Sequence, residues 1–279
     1  MPQPATQTPA KTLERAPSDA PFYLGMGLIG GLYVLLILGL LAADASFTAP
    51  RHLWQALQSR EIRYAIKLSL LSCSLTAILS VWVAVPIGYL MARQRFPGKP
   101  LLDAILDIPI VLPPLVIGLS LLILFQTPLG KAIEKVVPVT YEIPSIILAQ
   151  FSVACAFAVR TLRATFDQIN PRQEQVALTL GCRRSQAFWL VVLPEARRGL
   201  LTAATLAWAR ALGEFGPILV FSGATRMRTE VLPTSVFLEL SVGHIEAAVA
   251  VSLLMVMAAV LVLVIIRCYG LAETLGRPL

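Results

Sequence analysis

Arg172-Gln-Glu-Gln-Val-Ala-Leu-Thr-Leu-Gly181-Cys-Arg-Arg-Ser-Gln-Ala-Phe-Trp-Leu-Val-Val-Leu193-Pro194 is the stretch that decides how this chain is read. It is a polar-edged, helix-forming loop set between long apolar segments. Residues 173–180 are helix-compatible and present Val176, Leu178 and Leu180 together with Glu174 and Gln175. Gly181 can supply a left-handed turn that other residues make only at a cost. Ala187 to Val192 then form an apolar patch, and Pro194 stops or redirects the chain before the next apolar segment. Arg183 and Arg184 can pair with acidic groups on a partner or with anionic lipid heads. The residues alone leave two readings open: a docking surface, or an amphipathic hairpin lying on the membrane.

Composition sets the surroundings of that loop. Hydrophobic residues make up 57% of the chain and charged residues 14%, and the mean hydropathy is +0.75, outside the range of soluble domains. A bilayer core about 30 Å thick needs roughly 20 apolar residues of helix. Six stretches meet that standard: residues 22–43, 65–91, 101–125, 144–162, 200–221 and 245–266. The runs are continuous rather than alternating, which argues for helices over a strand barrel. The sequence therefore predicts an all-α, polytopic membrane protein of six transmembrane helices.

The first stretch resembles a signal peptide in part, with Lys11 and Arg15 before it and Ala43-Asp44-Ala45 as a small-x-small site. Its apolar run exceeds the 7–15 residues of a signal core, so it reads as an uncleaved helix. Lys and Arg counts set the orientation. With the N-terminus inside, fourteen fall on cytoplasmic segments and eight on outer ones, favouring both termini in the cytoplasm. The net charge of +7 is thus mainly an orientation signal, and no basic–aromatic ladder points to nucleic acid.

Along the chain, residues 1–20 are rich in Pro, Ala, Gln and Thr and read as a disordered cytoplasmic tail. Residues 21–64 hold the first transmembrane helix and an outer loop, where Trp54, Leu57 and Ile62 suggest a short interfacial helix. Residues 65–267 form a core of five spans interrupted by the loop at 168–198, and 268–279 a short cytoplasmic tail. The third span opens with Asp103 and Asp107, expected to complement the helix N-terminus or to pair with Arg93 and Arg95. It then carries Pro109, Pro113, Pro114 and Gly118, so its helix is expected to be broken or bent. Broken backbone at membrane depth lines a cavity or is buried in protein. Cys73, Cys155, Cys182 and Cys268 show no zinc spacing, and His52 and His244 no metal-ligand spacing, so no metal is assigned.

Two ionisable residues lie deep in the fifth stretch. Arg210 and Glu214 are four residues apart, on one helical face. Charge at that depth is expensive and faces a bundle interior or water. The pair reads either as a gate or transport-path element, or as a fixed ion pair joining helices. In the outer loop, Arg226 and Arg228 read as a solvated loop; the alternative is contact with an acidic patch on a partner or with an anion.

The loop resembles the coupling loop by which the permease subunit of an ABC importer grips its ATPase. That family's motif runs Glu-Ala-Ala, three residues, Gly, then Leu-Pro ending thirteen positions after the Gly. Gly181, Leu193 and Pro194 fit that spacing and Ala177 matches the second Ala. Gln175 and Val176 replace the motif Glu and first Ala, while Glu174 lies one position earlier. Which of these polar groups meets the ATPase stays open. Ile87-Gly88-Tyr89-Leu90-Met91-Ala92-Arg93 with Phe96-Pro97-Gly98-Lys99 is similar to the inner turn of the molybdate and sulfate permeases. Leu112-Pro113-Pro114-Leu115-Val116-Ile117-Gly118 and Ala209-Arg210-Ala211-Leu212-Gly213-Glu214-Phe215-Gly216 resemble further segments of that oxyanion group.

The resemblance implies a type I importer bundle in the bacterial inner membrane, with Val176, Ala177 and Gly181 at the ATPase contact. It implies two ATPase subunits that bind ATP and Mg, a second permease copy forming a homodimer, and an extracytoplasmic binding protein. It also implies a tetrahedral oxyanion as cargo, molybdate first, then tungstate and sulfate. The broken backbone and the charge at depth, taken by themselves, point to a path or gate at Pro113, Pro114, Arg210, Gly213, Glu214 and Phe215. The chain itself has no Gly-x-x-x-x-Gly-Lys-Ser/Thr loop and no nucleophile–base pairing, so neither an ATPase site nor any other enzyme or bound cofactor is expected in it. The rival reading is a stand-alone secondary transporter or channel, with Arg210–Glu214 as its ion-coupling site.

Overall fold

The computed structural model describes residues 19–48 and 50–275, and these residues form helices and turns without a strand. Helix α1, Ala20–Phe47, carries no charged residue until Asp44 and belongs, up to Ser46, to a unit of its own. The remaining residues make a second unit. It opens with the short helix α2, Pro50–Gln58, which carries Trp54 and Leu57 of the stretch read as interfacial, Trp54 being exposed, while Ile62 of that stretch lies on the helix that follows. Ser59 then accepts a hydrogen bond from Ile62 N at 3.1 Å and so caps the long helix α3, Arg60–Arg93.

A bent pair follows. Helix α4, Lys99–Val111, and helix α5, Pro114–Gln126, meet at 109°. The prolines do this: Pro113 and Pro114 have no N–H to continue the ladder, and their rings disfavour helix at the residue before each. Beyond the short helix α6, Pro128–Glu134, runs the long helix α7, Ile143–Gln168. The inner hairpin comprises α8 (Pro171–Thr179), α9 (Arg184–Ala187), a π-helical turn (Phe188–Val192) and α10 (Leu193–Glu195). Helices α11 (Arg197–Leu212), α12 (Gly216–Phe221), α13 (Leu232–Val242) and α14 (Ile245–Leu275) complete the chain.

Among the described residues four helices are long and apolar enough to cross a membrane, or five if the bent pair counts as one span. This differs from the expected six. The stretch 200–221 is not one helix but α11 and α12, separated by Gly213-Glu214-Phe215. A buried carboxylate and a following Gly216-Pro217 interrupt what composition alone reads as a continuous apolar run. The expected disordered tail at 1–20 lies, but for its last two residues, outside the described residues. The tail expected at 268–279 is helical to Leu275, and its last four residues lie outside the described set.

The core sits where α3, α7 and α11 pack on one another. Small side chains allow that approach: Ala65, Cys73, Ala77 and Ala84 on α3, Ala154 and Ala158 on α7, Ala203, Ala207 and Ala211 on α11, all buried. At Gly88 a Cβ would come within 3.0 Å of Arg163 N, so α3 and α7 nearly touch there. Some polar groups in this core are paired across the helices, while Ser80 Oγ on α3 has no hydrogen-bond partner. Thr76 Oγ1 donates to Gln150 Oε1 at 3.2 Å, and Gln150 Nε2 donates to Ala211 O at 3.2 Å, one side chain linking all three helices. Such bonds fix rotation about the helix axes, which uniform apolar packing leaves free.

Candidate functional site

The hairpin is built from local signals outward. Asn170 Oδ1 accepts from Arg172 N at 3.0 Å, and Pro171 occupies the first helical position, so α8 starts sharply. It ends at Gly181, whose φ is +92°, with Cys182 N donating back to Ala177 O at 3.1 Å. Gln186 Oε1 accepts from Arg183 N at 2.8 Å and opens the second arm. Pro194 then acts as the sequence suggests, by redirection. The ladder widens into the π turn, closed by Leu193 N to Phe188 O, and helix resumes at Leu193.

One side of α8 is held by the fold. Tyr89 Oη donates to Glu174 Oε1 at 2.6 Å, and Arg93 Nε lies 3.5 Å from Glu174 Oε2. Arg93 Nη2 also donates to Ile169 O at 2.9 Å. Tyr89, Phe166 and Phe188 meet in edge-on and tilted contacts with centroids 4.8–6.5 Å apart. Ala177 and Ala187 are buried beneath. Glu174 is therefore turned toward α3. Gln175, Val176, Thr179 and Leu180 form the exposed side, Leu180 being 80% exposed, and Gly181 and Pro194 are exposed as well. Leu193 is half-buried. Sequence reasoning passed over Tyr89 and Arg93 as anchors. The signal was present: they lie four residues apart, on one face at the inner end of α3.

The second cluster lies where two breaks meet. A Cβ on Gly118 would fall 2.7 Å from Pro217 Cα, and one on Gly216 would fall 3.0 Å from Pro114 Cβ. The α4–α5 bend and the α11–α12 interruption are thus in direct contact. The segment Gly213-Glu214-Phe215 forms the second break, with Glu214 N donating to Ala211 O at 3.2 Å. Arg210 Nη1 lies 2.6 Å from Glu214 Oε2, and the Glu214 side chain is only 1% exposed. The Arg210 guanidinium stands 5.7 Å from the centre of the Phe157 ring on α7. Phe215 packs on Phe237, Gly213 is exposed, and Pro113 and Pro114 are exposed at the bend. The structure thus gathers Pro113, Pro114, Arg210, Gly213, Glu214 and Phe215 around one junction.

Four further charged positions resolve into ion pairs. Asp103 and Asp107 do not reach Arg93 and Arg95; Asp103 pairs with Arg163, and Asp107 Oδ2 with Arg160 Nη2 at 2.7 Å. Both partners are on α7, which α4 lies against. At the outer face, Arg226 Nη2 pairs with Glu239 Oε1 at 2.7 Å and Arg228 with Glu142. The Glu142 carboxylate holds the Arg228 pKa above its ordinary value, chiefly through their hydrogen bond. Among the described residues no group of three or more His, Cys, Asp or Glu is arranged to hold a metal ion.

Residues 84–272 match the family described as binding-protein-dependent transport system inner membrane component. The chain is 32% identical over 235 residues to the sulfate transport system permease protein CysT of Escherichia coli, covering 83% of this chain and 85% of that one. It is 32% identical over 249 residues to the molybdenum transport system permease protein ModB of Mycobacterium tuberculosis, covering 88% and 93%. In fold it is similar to a bacterial alginate ABC transporter chain solved in complex with a pentasaccharide-bound periplasmic protein. The TM-score there is 0.71 at 16% identity, over 89% of this chain and 93% of that one.

Proposed function

The chain belongs to the binding-protein-dependent transport system inner membrane components, and we propose that it is the permease subunit of an ATP-driven importer of a tetrahedral oxyanion. Molybdate is the first candidate cargo, with sulfate and tungstate next. Two copies form the path, two ATPase subunits holding ATP and Mg dock beneath, and an extracytoplasmic binding protein delivers the anion above. Both termini are cytoplasmic. Support for an oxyanion cargo comes from relatives named for sulfate and molybdenum transport.

The observation that carries the coupling role is the two-sidedness of the hairpin. Its inner side is bolted to α3 and α7 through Glu174, Tyr89, Arg93 and Phe188. Its outer side offers Gln175, Val176, Thr179, Leu180 and Gly181 to a partner. A lever must grip the moving body and also present a free face to the motor. Gln175 at the motif's acidic position makes the ATPase contact in this reading, and Glu174 transmits its motion to α3.

ATP favours one bundle state only through its differential binding energy. Reversing a 1:99 population to 99:1 takes about 5.5 kcal/mol, which the hairpin must pass to the spans. At the junction of the two breaks, the Arg210–Glu214 pair acts as a gate element beside the path. Uptake by the reconstituted complex, with and without ATP and with molybdate, tungstate and sulfate in competition, tests the proposal. ATP-independent uptake, or a permease that never retains a nucleotide-binding subunit on purification, would return the chain to the secondary-transporter reading.

A further inference from the structure

Helix α4 has no buried residue and adheres to α7 partly through charge. Asp107 Oδ2 meets Arg160 Nη2 at 2.7 Å, and Asp103 meets Arg163 one turn further in. Arg160 is eight residues before the inner end of α7 at Gln168, about 12 Å along the axis at 1.5 Å per residue. Its side chain is 64% exposed. A guanidinium at that depth faces water or protein rather than lipid tails. Three residues earlier on the same helix, Phe157 carries the Arg210 guanidinium over its ring. One stretch of α7 thus meets Arg210 of α11 at Phe157 and Asp107 of α4 at Arg160.

We propose that Arg160 is an anion-holding position along the inner half of the path, and that Asp107 is a stand-in that the cargo displaces. The inference rests on the oxyanion reading above. Its chemistry is exchange of ion pairs, without covalent change. A guanidinium offers a planar fork of N–H donors that fits two oxygens of a carboxylate or of a tetrahedral oxyanion alike. At equal distance a dianion gains twice the Coulomb attraction of a monoanion such as nitrate at the guanidinium, and it is the anion expected to compete with the carboxylate. Asp107 therefore keeps Arg160 from trapping abundant monoanions, and it re-pairs once the cargo moves on. Asp107 and Arg160 come from different helices, so displacement also loosens α4 from α7 as the anion passes.

The test uses the full complex of permease, ATPase and binding protein in proteoliposomes, with molybdate, tungstate and sulfate each as cargo. Arg160→Gln is expected to lower uptake at least tenfold, and Arg160→Lys, which keeps the charge without the fork, by less. Asp107→Asn is expected to retain more uptake than Arg160→Gln but to become sensitive to nitrate, which wild type resists. The exchanged pair, Arg160→Asp with Asp107→Arg, is expected to transport as poorly as Arg160→Gln. Complex yield and binding-protein-stimulated ATPase activity identify any variant that fails to fold. If Asp107→Asn is as damaging as Arg160→Gln, if Arg160→Gln transports normally, or if the exchanged pair restores uptake, the pair is only a strut and the proposal falls. A wild-type complex that imports none of the three anions overturns the oxyanion reading instead.

Discussion

At the inner hairpin, Gly181 has φ +92° and a Cβ there would meet nothing within 4 Å; at the junction of the two breaks, Gly118 and Gly216 have negative φ and no room for a Cβ. Both regions interrupt helices and both use glycine, for opposite reasons. The hairpin needs a backbone shape, and the space around its turn is open for a partner. The junction needs contact, because two proline-broken segments touch backbone to backbone there. Charge follows the same division. Glu174 shares a phenol and a guanidinium near the inner surface, whereas Glu214 is enclosed with Arg210 beside it. A region fixed by conformation moves as one piece on its anchors; a region fixed by contact makes its two halves move together.

The largest expected effect is at the buried pair of the contact region. Stranding one partner of a buried ion pair costs about 3–5 kcal/mol. Arg210→Gln should be worse than Glu214→Gln in both melting temperature and uptake, since the group it strands is the enclosed carboxylate. The reverse order would mean that Glu214 is not the dependent member. Next in size is the backbone contact itself. Gly118→Val places a branched side chain against the Pro217 backbone, and overpacking of this kind costs about 1–3 kcal/mol. We expect a lower yield of the assembled complex after detergent extraction. Normal transport by this variant would show that the two breaks do not bear on each other.

The hairpin predictions are smaller and concern coupling more than assembly. Tyr89→Phe keeps the aromatic contacts and removes one hydrogen bond to a carboxylate, worth about 1.5–3 kcal/mol. Ions moved per ATP should fall severalfold at unchanged complex yield; Ala177→Leu, which pries α8 off its seat, should do the same. Unchanged stoichiometry in both would remove Glu174 from the lever. Smallest is the turn itself. A left-handed non-glycine residue costs about 1–2 kcal/mol, less for Asn than for a branched side chain. Gly181→Val should uncouple partially and Gly181→Asn should stay near wild type, because space is no obstacle at that turn. Equal damage from both would mean that a partner fills the space beside Gly181.

Much of this was legible from residue order. Length of apolar run gave the spans, and Pro113-Pro114 announced the bend that the structure shows at 109°. The spacing of Gly181 and Pro194 gave the hairpin and, with the segments around it, the family. The sixth span was over-read. Hydropathy averages over a window, so it passed across Gly213-Glu214-Phe215 without registering the break. The partners of Asp103 and Asp107 were sought among the nearest arginines, and the true ones, Arg163 and Arg160, are more than fifty residues away.

Composition, periodicity and motif spacing by themselves determined that the chain is helical, membrane-embedded and equipped with a two-armed loop, because each depends only on neighbours within a few turns. Tertiary structure alone decided that Glu174 turns inward to Tyr89, that one junction gathers the two breaks, and that one stretch of α7 meets both Arg210 and Asp107. The reason is physical. Which side chain a charge meets is set by helices packed at long sequence separation, and the small residues that permit such packing do not announce which partner they will admit.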